Sequence, residues 1–204
     1  MARKPVTVAT DTRENLLHYA AKMLGAHGYA ATTMRAIADQ AGIEAASIYY
    51  HFSSKEDLVE HVMAHGVERF EQTLQAHLQA LPAGADARQR FEAAVAGILD
   101  GFVSNSDFAA ANSKLLGQLP EKLQRQQDKR HQQHRKIWDR LLLELQAEGH
   151  LRPDVDLGLC RVFILGSVNY AQAWYNPRKG SIAQVAKQFC TVFFEGMSPV
   201  NVPA

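Results

Sequence analysis

Apolar residues recur along this chain at helical spacing, and polar breaks punctuate them. Leu16, Ala20, Met23, Leu24 and His27 share one face of a helix that begins after Asp11 and stops at Gly28. Thr33 caps a short helix over 34–41, which Gly42 ends. A second short helix is predicted over about 44–51. The stretch "SSKED" then carries two pairs at capping-box spacing, Ser53 with Glu56 and Ser54 with Asp57. A long helix starts there and runs to about Gln79, with Leu58, Val62, Met63, Phe70, Leu74 and Leu78 as its apolar stripe. Residues 81–86, "LPAGAD", break the pattern. Further helices are predicted over about 87–104, 107–118, 120–148, 155–175 and 180–196, the last two split by "NPRKG". No strand pattern or repeat appears. The expected architecture is all-α, with about nine helices. It comprises a flexible arm over 1–10 carrying Arg3, Lys4 and Pro5, a three-helix helix-turn-helix domain over 11–57, and a helical bundle over 58–204.

Composition narrows the class. The chain's 204 residues suffice for one large domain or two small ones, and 47% hydrophobic with 21% charged is ordinary for a soluble protein. A net charge of +1 gives no global attraction for nucleic acid or anionic membrane, so any basic surface must be local. Cys160 and Cys190 are too far apart in sequence for a disulfide framework or a metal motif, and reduced, half-buried thiols are expected. The N-terminus lacks a signal-peptide core, and no apolar run reaches the roughly 18–20 residues of a membrane span. A cytoplasmic protein is therefore expected.

Two short helices joined by a glycine suggest a helix-turn-helix. Such a unit needs a small residue where the helices cross, a glycine that tolerates the turn, and apolar residues to lock the pair. Ala38, Gly42 and the trio Ile37, Ile43 and Ile48 fill those slots. Four aromatic side chains in succession, Tyr49 to Phe52, follow at once, and then Ser53, Ser54 and Lys55.

With those residues in place, "ATTMRAIADQAGIEAASIYYHFSSKEDLVEHV", residues 31–62, resembles the DNA-binding domain of the TetR family of one-component transcriptional regulators. Thr33, Ile37-Ala38, Ala41-Gly42-Ile43, Ile48-Tyr49, His51-Phe52, Lys55 and Leu58 carry the match. The resemblance implies that Phe52 closes the small core while its aromatic neighbours face DNA. It implies phosphate contacts from Thr33, Tyr49 or Tyr50, His51 and Lys55, which position the protein without choosing sequence. Base reading is expected from Ala45, Ala46 and Ser47, with Tyr50 near a thymine methyl and Arg35 a candidate for guanine. Many family members have Ser or Thr where this chain has Glu44, and Gly where it has Ala46. A helix beginning Glu-Ala-Ala offers few donors to bases, which shifts the burden to Arg35, methyl contacts and DNA shape. Residues 1–60 hold six Lys/Arg against seven Asp/Glu, so the electrostatic footprint is weak.

The resemblance also implies that the C-terminal helices dimerise and bind a small effector. Leu159, Val162, Phe163, Leu165 and Val168, then Ile182, Val185, Phe189, Val192, Phe193 and Phe194, make apolar faces too wide for a monomer surface. Gly158, Gly166 and Ala173 allow close helix approach. A two-fold four-helix interface places the recognition helices about 34 Å apart on a near-palindromic double-stranded operator. Candidate ligand contacts are Phe102, Phe108, Trp138, Tyr170 and Trp174, with Asn169 to orient a ligand. "WYNPRKGSIAQVAKQF", residues 174–189, resembles a segment of TetR-family regulators of lipid, sterol and acyl-CoA catabolism. Residues 121–140 carry seven Lys/Arg against three acids, either a solvated face or a partner for the phosphates of a CoA thioester. His131 with His134, and His61 with His65, have metal-compatible spacing but no third ligand, so neither metal nor cofactor is expected.

The expected function is an effector-responsive DNA-binding regulator, a repressor released by a small hydrophobic or acyl-CoA-type ligand. An activator of the same architecture remains open, as does a helical small-molecule-binding protein or enzyme without DNA binding. Against an enzyme, the chain has no GxSxG, P-loop, GxGxxG or HExxH.

Overall fold

The computed structural model describes residues 8–197, with side chains over 12–195 apart from Gln172. Among the described residues the regular structure is helical throughout: α1 (Val8–Ala31), α2 (Met34–Ala41), α3 (Lys55–Gln79), α4 (Ala87–Ser104), α5 (Ser106–Leu115), α6 (Glu121–Ala147), α7 (Leu157–Val168), the single turn α8 (Ala171–Trp174) and α9 (Ile182–Met197). Short 3-10 turns occupy Ser47–Tyr50 and Pro177–Lys179. Most of the arm expected over 1–10, with Arg3, Lys4 and Pro5, lies outside the described residues, while Val8–Thr10 already belong to α1.

Local chemistry sets the helix ends. Gly28, at φ 78°, interrupts α1 where the sequence predicts its stop. The Thr33 side chain accepts from the Ala36 amide at 3.2 Å, and Gly42 closes α2 in the left-handed region at φ 69°. Of the two candidate caps on α3, Ser54 with Asp57 forms: Ser54 Oγ accepts from the Asp57 amide at 3.1 Å. Asp57 in turn accepts from the Ser53 amide at 2.7 Å and the Ser53 hydroxyl at 2.9 Å. Asp86 and Gln89 form a full capping box on α4.

The chain divides into two compact units, Met1–Val67 with Ser106–Asp128, and Glu68–Asn105 with Lys129–Ala204. In the first, Leu16, Ala20, Leu24, Ile37, Ala38, Ile48, Phe52, Leu58 and Val62 form one core. Each large side chain buried this way contributes roughly 1.5–3 kcal/mol. Phe108, Ala111, Leu115 and Leu123 complete that core, so its packing extends beyond the 11–57 span. The physical reason is area: three short helices alone leave apolar surface uncovered.

In the second unit, Phe91 of α4 stacks on Phe193 at 5.1 Å and meets Trp138 edge-on at 6.0 Å and Phe194 at 5.5 Å. Arg90 pairs with Glu144 at 3.0 Å and Glu148 at 2.9 Å, tying α4 to α6. Gly97 lets the C-terminal part of α3 press against α4; a Cβ there would lie 2.8 Å from the Leu74 Cα. The helix predicted over 155–175 ends at Val168, where the Trp174 indole donates to the Ser167 carbonyl at 3.1 Å. Both cysteines are buried rather than half-buried, and neither forms a disulfide. Burial pushes the Cys190 thiol up to about 12, which keeps it protonated and inert.

Candidate nucleic-acid interface

The predicted recognition helix is tighter than the sequence suggests. Instead of an α-helix over 44–51, residues 45–46 turn and Ser47–Tyr50 wind as 3-10 helix. Ser47 donates to the Glu44 carbonyl at 2.8 Å and Tyr49 to that of Ala46 at 3.3 Å. Only nine residues separate Gly42 from Phe52, and Ile48 and Phe52 must both reach the core. So short a segment, rich in β-branched and aromatic residues, gains little from α-helical propagation.

Between those two buried anchors the chain presents Tyr49 and Tyr50 to solvent, at 57% and 89% exposure. His51 is half-buried, as are Ala45 and Ser47, while Ala46, Thr33 and Arg35 are exposed. Thr33 reaches the surface from the N-cap of α2 and Arg35 from its first turn. Phe52 is 1% exposed and takes the core role that the resemblance implies.

Lys55 differs from expectation. Its ammonium folds back on the head, donating to the Tyr29 carbonyl and lying 4.1 Å from the centre of the Tyr29 ring. Burial lowers its pKa, with Glu56 opposing the shift. Sequence reading missed Tyr29, whose signal is the "GY" that ends α1. It also missed Arg13, whose guanidinium sits 5.0 Å over the Phe52 ring. Burial raises the Asp57 carboxyl, but the two hydrogen bonds from Ser53 prevail and hold it below the usual range.

The six expected ligand contacts occupy different surroundings. Phe108 belongs to the first unit, where it fills the core beside His18 and His65. Phe102 and Trp138 are buried in the second unit, Phe102 against Phe70 at 4.7 Å. Asn169, Tyr170 and Trp174 are exposed at the α7–α8 junction. The sequence groups them by helical spacing, but packing separates core fillers from surface aromatics. Leu159, Val162 and Phe163 of α7 and Val192 of α9 are 50%, 58%, 63% and 72% exposed. His61 sits 3.1 Å from Asp57 and edge-on to Phe52, and no group of three or more metal-ligating side chains forms among the described residues. No described helix is long and apolar enough to cross a membrane.

A trihelical head with an exposed aromatic edge, followed by an all-helical body, defines the class of helix-turn-helix transcriptional regulators. Comparison with known proteins makes the class specific. Residues 16–62 match the family model of bacterial regulatory proteins of the tetR family, and residues 84–197 match the tetracyclin repressor-like C-terminal domain. The chain belongs to the TetR family of bacterial transcriptional regulators. It is 32% identical to the HTH-type transcriptional repressor KstR2 of Mycolicibacterium smegmatis, over 97% of this chain and 96% of the relative. It is 29% identical to KstR2 of Rhodococcus jostii, over 93% of each chain. The ketosteroid transcriptional regulator KstR2 of Mycobacterium tuberculosis superposes with a TM-score of 0.78 at 26% identity, covering 96% of this chain and 97% of that one. AibR in complex with isovaleryl coenzyme A and operator DNA shares the fold, with a TM-score of 0.76 at 22% identity over 90% of this chain and 98% of that one.

Proposed function

We propose that this protein is a dimeric cytoplasmic repressor that grips a near-palindromic operator and lets go when a small hydrophobic or acyl-CoA-type effector binds its C-terminal helices. It acts by binding, not catalysis. The observation that carries this reading is the exposed Tyr49–Tyr50 pair, held between two buried anchors beside exposed Thr33 and Arg35. Thr33, Tyr49 or Tyr50 and His51 grip phosphates, while Lys55, held on Tyr29, braces the head instead; Arg35, Ala45, Ala46, Ser47 and the Tyr50 ring read bases and shape.

The exposed apolar residues of α7 and α9 support self-pairing through a two-fold interface. KstR2 by name is a ketosteroid regulator, and AibR holds an acyl-CoA; both support an effector of steroid-ring or CoA-thioester chemistry. The effector favours a state in which α3 has shifted and the two heads no longer fit successive grooves.

A mobility shift on DNA upstream of the protein's own reading frame, across a salt series, tests the reading. The expected result is a shift that weakens steeply with salt and is reversed by a CoA thioester or a steroid-ring compound. Replacing Tyr50 and His51 together by alanine should abolish the shift and leave the dimer intact. A normal shift from that variant would refute the site.

A further inference from the structure

Trp138 in α6 is fully buried, and its indole N–H donates to Nε2 of His134, one turn earlier, at 3.3 Å. An indole nitrogen can only donate, so Nε2 must carry the lone pair. A neutral imidazole with its lone pair on Nε2 carries its proton on Nδ1. That Nδ1 has no solvent access and no hydrogen-bond partner among the described residues. The structure therefore holds a buried donor of fixed tautomer, oriented by a buried aromatic. Native interiors rarely leave such a group unanswered.

The surroundings say what kind of group answers it. Trp138 belongs to the aromatic cluster with Phe91, Phe193 and Phe194, so the indole that orients the His134 ring is itself fixed in an apolar core. A mostly apolar lining with one aimed polar group is the usual make-up of a small-molecule site. The answering atom must accept. A carboxylate would favour an imidazolium, which would turn an N–H on Nε2 against the indole N–H. A neutral carbonyl oxygen takes the Nδ1 proton bond at no such cost. Burial, helped by the charge of His131, depresses the His134 pKa to about 4 and is consistent with a ring that stays neutral.

We propose that His134 is a specificity residue of the effector site, donating its Nδ1–H to a carbonyl oxygen of the effector. This rests on the effector reading above and narrows it to carbonyl-bearing ligands, the carbonyl being that of a thioester or a ring ketone.

Matched probes test it on the full-length dimer by calorimetry. Decanoyl-CoA and S-decyl-CoA differ only in the thioester carbonyl; a decalone and decalin differ only in the ring ketone. In at least one pair the carbonyl compound is expected to bind about tenfold or more tightly, because its absence strands a buried donor. His134→Gln keeps an acceptor for Trp138 but loses the Nδ1-side donor, and should erase that preference. His134→Asn places an amide N–H near Nδ1 and should retain most of it. The preference is a ratio within one variant, so a general loss of stability does not move it. The 15N resonance of Nδ1 should report the Nδ1–H tautomer and shift only with the carbonyl compound. The pair that discriminates identifies the source of the carbonyl. Equal binding within both pairs, or a preference that survives His134→Gln, overturns the assignment and leaves the effector reading standing. Failure of all four compounds to bind overturns both.

Discussion

The Lys55 ammonium donates to the Tyr29 carbonyl and lies 4.1 Å over the Tyr29 ring, while the Tyr29 hydroxyl donates to Glu56 at 2.8 Å. One tyrosine at the end of α1 thus holds two successive residues of the first turn of α3. Burial, reinforced by the Glu56 hydrogen bond, pushes the Tyr29 phenol up to about 12. Tyr29→Phe keeps the ring under the ammonium and should cost under about 1 kcal/mol in urea unfolding. Tyr29→Ala also removes the ring and its packing, and should cost about 1–3 kcal/mol. Equal losses would mean that the ring contributes nothing.

Tyr50 and Phe52 should separate binding from folding. Tyr50 is 89% exposed, so Tyr50→Ala should change stability by no more than about 0.5 kcal/mol while weakening operator binding tenfold or more. Phe52 is 1% exposed, and Phe52→Ala should lower stability by about 3–5 kcal/mol. Paired melting curves and mobility shifts would check both.

Acid should unfold the protein partly through His134. Its folded pKa of about 4 lies below the ordinary histidine value, so between about 6.5 and 4 the unfolded chain binds a proton that the folded chain does not. Stability from this group is therefore full above that window and is lost as pH falls through it. Urea midpoints from pH 7.5 to 4.5 should fall, and His134→Gln should flatten the slope. An unchanged slope would exclude His134 as a source.

Gly97→Ala should destabilise the second unit. The added methyl would meet the Leu74 backbone at 2.8 Å and the His77 Cβ at 3.2 Å, and backbone cannot swing away. A loss of about 1–3 kcal/mol in thermal or urea unfolding is expected.

Phe163→Asp should leave a folded monomer. Phe163 is 63% exposed on one protomer, so the substitution costs little within the chain but puts charge into an apolar self-contact. Light scattering should show half the mass, and operator affinity should fall at least tenfold as the second head is lost.

The sequence by itself determined the features settled within a turn or two of helix. Thr33 and Gly42 bound α2 at 34–41, Asp86 starts the 87–104 helix, and Ala38, Gly42 and Ile48 mark the helix-turn-helix. Caps, breaks and apolar periodicity involve residues three or four apart, and those are visible in a string of letters. Tertiary structure decided the rest. Tyr29 captures Lys55 across 26 positions, Phe108 fills the core of the first unit, and the buried Trp138 indole donates to His134. Ile48 and Phe52, both drawn into one core, tighten the short helix between them into a 3-10 turn. Side-chain charge, burial and tautomer depend on which neighbour arrives, and that neighbour is chosen by how apolar faces pack rather than by what stands next in the chain.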